Sequence, residues 1–132
     1  VMPMLSSATG RCFAAFLGHG VGSDQASVLV EREMALARET GRKDVPTNAK
    51  ELKALIQETQ AYGLGRVNNV LLPGISGFCA PVFDADGHLA LGVVSLGSSA
   101  NFNVAWNGPL ATSLLRMTRQ LSADLGWSGD KA

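Results

Sequence analysis

Two apolar runs on either side of a polar tetrapeptide dominate the hydropathy pattern of the chain. Residues 75–83 (ISGFCAPVF) and 89–96 (LALGVVSL) flank Asp84-Ala85-Asp86-Gly87, so segment 73–97 is predicted to be a β-hairpin. An aspartate opens a tight turn by hydrogen bonding its own backbone, and Gly87 can take the positive φ that closes it. Both arms are apolar at consecutive positions, so a second layer is expected on each face of each strand. Small residues interrupt the arms at Gly77, Ala80, Ala90, Gly92 and Ser95. A glycine inside a strand marks a close approach of backbone or ligand, or a bulge. The hairpin can therefore build a core and still leave room for something small.

Elsewhere the period is helical. Ser6 or Ser7 can cap a first helix running to about Leu17 and stopped at Gly18, with Phe13, Phe16 and Leu17 on one face. A glycine-rich loop, 18–22, leads to Ser23 or Asp24, either of which can cap a second helix through about Thr40, ended by Gly41. Its apolar set, Val28, Leu29, Met34 and Leu36, is irregular. Beyond a polar connector, Thr47 or Asn48 caps a third helix, and Glu51 stands three residues after Asn48 as in a capping box. Leu52, Leu55 and Ile56 form its predicted stripe, and Gly63 ends it. Residues 65–72 read as a strand leading into the hairpin, and 98–105 as polar and irregular. Pro109 suits the first position of a last helix, where its missing N–H does no harm. Leu110, Leu114, Met117, Leu121 and Leu125 recur at three- and four-residue steps, so this row is expected to lie across the sheet. The fold class is α+β: an antiparallel sheet with helices packed against it.

Composition narrows the function. At 132 residues the chain fits one domain and is long enough for a core. Hydrophobic residues make up 46% and charged ones 17%, a sparse surface that suits burial against copies of itself or against another segment. Lys+Arg and Asp+Glu are both 11, which argues against a nucleic-acid face, because phosphate contacts need a basic patch. Cys12 and Cys79 are too few for a disulfide scaffold, and nothing reads as a signal peptide. Apolar stretches are broken well before the about 20 residues of a membrane span. A cytoplasm is the simplest setting.

The order of motifs resembles the C-terminal effector-binding domain of the IclR family of bacterial transcription regulators. The residues that carry it are the PGI…APVFD-x-DG pattern from Pro73, the opening Pro3-Met4-Leu5-Ser6-Ser7-Ala8-Thr9-Gly10-Arg11, the stretch Ala61-Tyr62-Gly63-Leu64-Gly65-Arg66, and the end from Leu114 to Ser122-Ala123-Asp124-Leu125-Gly126-Trp127. They are similar to the family's "lPLHATASGKA", "rGYGlsR" and "LsarLG" segments, in the same order and at the same spacing. The resemblance implies a GAF-like arrangement and a partial effector-binding domain over 1–132. Family effector domains carry a helix and further strands ahead of the PLHATASG segment, and DNA is read by a separate N-terminal winged helix-turn-helix. It also implies a small-molecule effector, an organic acid, with no cofactor, and self-association as a dimer or tetramer. DNA would be contacted only through the N-terminal domain.

Carried over position by position, the effector site comprises Ala8, Thr9 and Gly10 at the first helix, Val67 and Asn68 on the first strand, Ile75 and Gly77 on one hairpin arm, and Val94 and Leu96 on the other. The helix start is expected to offer unpaired N–H groups to a carboxylate. Several relatives place Cys at the position of Gly77, Ser at those of Val94 and Leu96, and acidic residues around 67–70. Losing these polar groups suggests an effector less polar than a short oxo-acid, such as an aromatic acid. Against this stands the bland reading, in which Val94 and Leu96 merely fill a closed core.

Other candidates carry less. Arg66 reaches an effector carboxylate or covers surface with its stem. Cys79, mid-strand, and Cys12, in a helix, read first as small buried hydrophobes; the enzymatic alternative is a GAF-like thiol oxidoreductase using one of them. His19 and His88 belong to no cluster with metal spacing, and no nucleophile–base–orienter set is visible. Phe102 and Trp106, in a polar segment, form a lid or subunit contact or tuck into the core. A third reading is a stand-alone oligomerisation module using an unpaired sheet edge.

Overall fold

The computed structural model describes residues 5–17, 23–42, 45–68, 74–100 and 103–127. In chain order these form α1 (Ala8–Phe16), α2 (Ser23–Thr40), α3 (Ala49–Tyr62), β1 (Gly65–Asn68), β2 (Ile75–Phe83), β3 (Leu89–Ser98) and α4 (Pro109–Asp124). The strands make one antiparallel three-stranded sheet in the order β1-β2-β3. This is the expected α+β class. Of the strand expected over 65–72, the first four residues form β1 and positions 69–73 lie outside the described residues, as do the loop 18–22 and Phe102.

The local signals work as chemistry dictates. Ser7 caps α1, its Oγ accepting from the Gly10 amide at 2.9 Å. Asn48 caps α3 by accepting from the Glu51 amide at 2.9 Å. The return arm of that box reaches one residue further than expected: Glu51 Oε1 accepts from both the amide and the hydroxyl of Thr47, each at 2.9 Å. These bonds, the backbone one first, hold the Glu51 carboxyl below the usual carboxylate range. In the hairpin, Asp84 Oδ1 accepts from the amides of Asp86 (2.9 Å) and His88 (3.0 Å), and Gly87 sits at φ +81°. The register shifts at Val82/Phe83, which leaves Ala90 as an extra residue on β3.

Helices cover both faces of the sheet. Directly opposed residues share a face and alternate residues change face. Gly65, Val67, Gly77, Cys79, Gly92, Val94 and Leu96 therefore lie on one side, and Leu64, Phe78, Ala80 and Val93 belong to the other. On the first side α1 builds a cluster of Ala8, Cys12, Val67 and Cys79, flanked by Phe13 and Phe16. On the second, α4 buries Ala111 and Leu114 against Leu64, Phe78 and Ala80, with Val93, Trp106 and Leu115 around them. A third cluster, Leu5, Val30, Met34, Ala37 and Val45, joins α2 to the segment ahead of α1 and to Phe13.

Three burial expectations are corrected. In α2 the buried row is Val30, Met34 and Ala37, at helical spacing, while Val28 and Leu36 are exposed. In α4 the row set on the sheet is Ala111, Leu114, Thr118 and Ser122, and Leu110, Met117, Leu121 and Leu125 are 37–49% exposed. Thr118 and Ser122 can face the core because their hydroxyls are satisfied: Thr118 donates to the Leu115 carbonyl at 3.2 Å and Ser122 to that of Thr118 at 2.9 Å. Finally, β2 is buried from Ser76 to Val82 as expected of a covered strand, but β3 is not; Leu91, Val94 and Leu96 are exposed.

Candidate functional site

The start of α1 sits on the sheet through residues too small to hold it off. A side chain at Gly65 would place its Cβ 2.8 Å from the Cys12 amide nitrogen and against the Ala8 carbonyl. One at Gly92 would come within 2.6 Å of Cys79 Sγ. These close approaches bring Cys12 and Cys79 together beneath the helix, both fully buried. The Cys12 thiol hydrogen-bonds Cys79, which pulls Cys79 below the ordinary thiol range; burial opposes this and a hydrogen bond from Thr9 assists it. Cys12, as the donor, is pushed far up, first by that bond and then by burial. Their separation in sequence hid this contact, since only the tertiary register brings the pair together.

Beside this packed patch the same face opens outward. Val67 is buried at the foot of α1, and Gly77 lies opposite both Val67 and Leu96. The Leu96 side chain leans into the space over Gly77, where an added Cβ would meet it and the Ser95 carbonyl, the latter at 3.1 Å. Val94 is 43% and Leu96 64% exposed, and Ile75, on the same face, is 37% exposed. Thr9 is half-buried at the inner end. Thr9, Val67, Ile75, Gly77, Val94 and Leu96 thus share an apolar shelf that is open along β3 rather than walled on all sides.

Two of the expected site residues are placed differently. The Gly10 amide is already taken by Ser7 Oγ, so the expectation that it stands open to an anion fails. Asn68 is opposed to Ser76 on the other face of the sheet and accepts from Ser76 Oγ at 2.7 Å, so it does not line the shelf. Ala8 is buried in the α1 cluster. Arg66 also points away from the shelf. Its guanidinium carbon lies 4.1 Å from the centroid of the Trp106 ring and Nη1 donates to the Val104 carbonyl at 2.9 Å. Trp106 in turn stacks on Tyr62, with centroids 4.5 Å apart. Arg66 and Trp106 thereby fasten the segment before α4 to the sheet. Contrary to the expectation that His88 belongs to no such cluster, the hairpin turn gathers Asp84, Asp86 and His88, but the Asp84 carboxylate there serves the turn.

No protein-family model and no curated protein sequence matches the chain. Solved structures do. Pseudomonas aeruginosa HmgR is 31% identical, with a TM-score of 0.78, and the match covers 98% of this chain and 48% of that one. A transcriptional regulator of the same family from Alicyclobacillus acidocaldarius is 26% identical, with a TM-score of 0.61, over 94% of this chain and 45% of its own. The C-terminal domain of the E. coli transcriptional regulator KdgR shares the fold at a TM-score of 0.65 and 20% identity, over 95% of this chain and 72% of that domain. The chain spans about half the length of the first two relatives. It carries the C-terminal-domain fold of the IclR-family transcriptional regulators, the family its motifs resemble.

Proposed function

We propose that this chain is the effector-sensing part of a cytoplasmic, DNA-binding transcription regulator and takes a small aromatic or otherwise weakly polar organic acid. The observation that carries the reading is the likeness to HmgR along 98% of the chain at 31% identity. The shelf supports the choice of ligand. Val67, Gly77, Val94 and Leu96 bring no charge or hydroxyl, so a flat apolar body gains more there than a short oxo-acid. In this reading Thr9, in the first turn of α1, meets the polar end of such a ligand with the hydroxyl that otherwise serves Cys79. Bound effector would act on the whole regulator by its differential affinity for two subunit arrangements, since a ligand that binds both equally shifts neither.

The thiol-enzyme alternative is disfavoured by the burial of Cys12 and Cys79, because a working nucleophile needs an accessible thiolate. The test is a thermal-shift panel of aromatic carboxylic acids against short keto acids. At ten times its Kd a ligand stabilises by about 1.4 kcal/mol, which raises Tm by roughly 5 °C in a domain of this size. A shift with an aromatic acid that Leu96→Asp abolishes is expected. A response to keto acids alone overturns the ligand class, and silence across the panel overturns the sensor reading.

A further inference from the structure

Cys12 and Cys79 come from separate halves of the chain, yet they meet in one buried cluster between α1 and the sheet. Two glycines make the meeting possible. Gly65 is opposed to Cys79 and lies directly under the Cys12 amide, so the backbone of Cys12 settles on the strand beside the one that carries Cys79. Gly92 lies diagonal to Cys79 on β3, and the space its side chain would fill is taken by Cys79 Sγ. The two sulfurs cannot drift apart unless α1 lifts from the sheet. Within the pair the roles differ. Cys12 donates its S–H to Cys79 and Thr9 donates to the same sulfur, so Cys79 is the one with thiolate character.

We infer that Cys12 and Cys79 form a redox clamp, which hydrogen peroxide closes into an intrachain disulfide between α1 and β2. The Cys79 thiolate attacks one peroxide oxygen, the O–O bond breaks and hydroxide leaves, giving a sulfenic acid. The Cys12 sulfur then attacks Cys79 Sγ, and the S–S bond forms as the sulfenic oxygen departs with the Cys12 proton as water. The hydroxide takes up the proton first lost by Cys79, so two thiols are oxidised and one peroxide is reduced to two waters. Neither step needs a bulky substrate, so the burial that counts against a thiol enzyme does not count against this chemistry. α1 has nine residues, too few to persist off the sheet, and its brief local openings admit a molecule little larger than water. On closing, each sulfur regains the other. Once formed, the disulfide holds α1, and with it Thr9, against the sheet. The bearing of this on an effector rests on the proposed function; the crosslink itself rests on the fold alone.

The test is treatment of the native, reduced chain with hydrogen peroxide, read by intact mass and by peptide mapping without reductant. The expected product is a single chain lighter by two hydrogen atoms, with the peptides of Cys12 and Cys79 joined and separated again by dithiothreitol. Because the bond closes the long loop from residue 12 to residue 79, it should raise Tm by roughly 10 °C. In Cys12→Ala the mass loss should disappear, and dimedone should trap a sulfenic acid at Cys79. Should that variant fail to fold, mapping and melting of the native chain still decide. Three results overturn the clamp: a crosslink that forms only in denaturing urea, disulfides that join separate chains, or an oxidised chain that melts below the reduced one.

Discussion

At the scale of single residues, the contact between α1 and the sheet depends on the absence of side chains. Gly65 is opposed to Cys79 and lies directly under the first turns of α1, with the Cys12 amide and the Ala8 carbonyl in the space a methyl group would need. Backbone atoms cannot step aside as a flexible side chain can, so the cost of filling this space is overpacking. Gly65→Ala should destabilise the fold by about 1–3 kcal/mol, read as a lower urea midpoint at unchanged slope. A loss under about 0.5 kcal/mol would mean that α1 is free to ride away from the sheet. The hairpin sequence showed that small residues sat in strands; which of them meets α1 was not legible there. That depends on register, and a shift of one position sends every side chain to the opposite face. Asn68 and Arg66 left the expected site for this reason. Each sits one position from Val67, and one position is the difference between the shelf and the α4 face.

At the scale of elements, the described caps and turns were largely readable and the choice of buried face was not. Caps, turn residues and the N-terminal proline of α4 act within a few residues, so their chemistry is written where it operates. The face a helix buries depends on the width of the sheet beneath it. In α4 the leucine and methionine row is the more apolar, yet Thr118 and Ser122 face the three described strands and the leucines do not. Ser122 does more than tolerate burial. Its Oγ accepts the Phe83 amide at 2.9 Å while its hydroxyl hydrogen goes to the Thr118 carbonyl. Ser122→Ala leaves the Phe83 amide without that acceptor where β2 ends, and should cost about 1–3 kcal/mol. Leu125→Gln, at an exposed position of the same helix, should stay within about 0.5 kcal/mol. Equal effects of the two in chemical denaturation would show that the helix is not keyed to β2 through this hydroxyl. Faster exchange of the Phe83 amide in Ser122→Ala would identify the lost bond directly.

At the scale of the whole molecule, charge argues against a DNA-reading face. Duplex DNA presents a dense row of phosphates, and affinity without sequence preference comes from lysines and arginines that replace its counterions. Here 11 basic residues are matched by 11 acidic ones, so the molecule has no excess with which to gather that field. Several of the arginines are also committed internally. Arg11 donates to the carbonyls of Leu5 and Arg66, Arg38 to that of Thr47, and Arg66 to that of Val104 while lying over Trp106. The chain should therefore leave the fluorescence anisotropy of a labelled duplex unchanged at physiological salt, and lowering the salt should uncover at most a shallow dependence. Micromolar binding whose logarithm falls steeply with the logarithm of salt concentration would contradict this, because each unit of slope counts about one phosphate neutralised. If the expectation holds, any influence of an effector on DNA has to travel through subunit geometry.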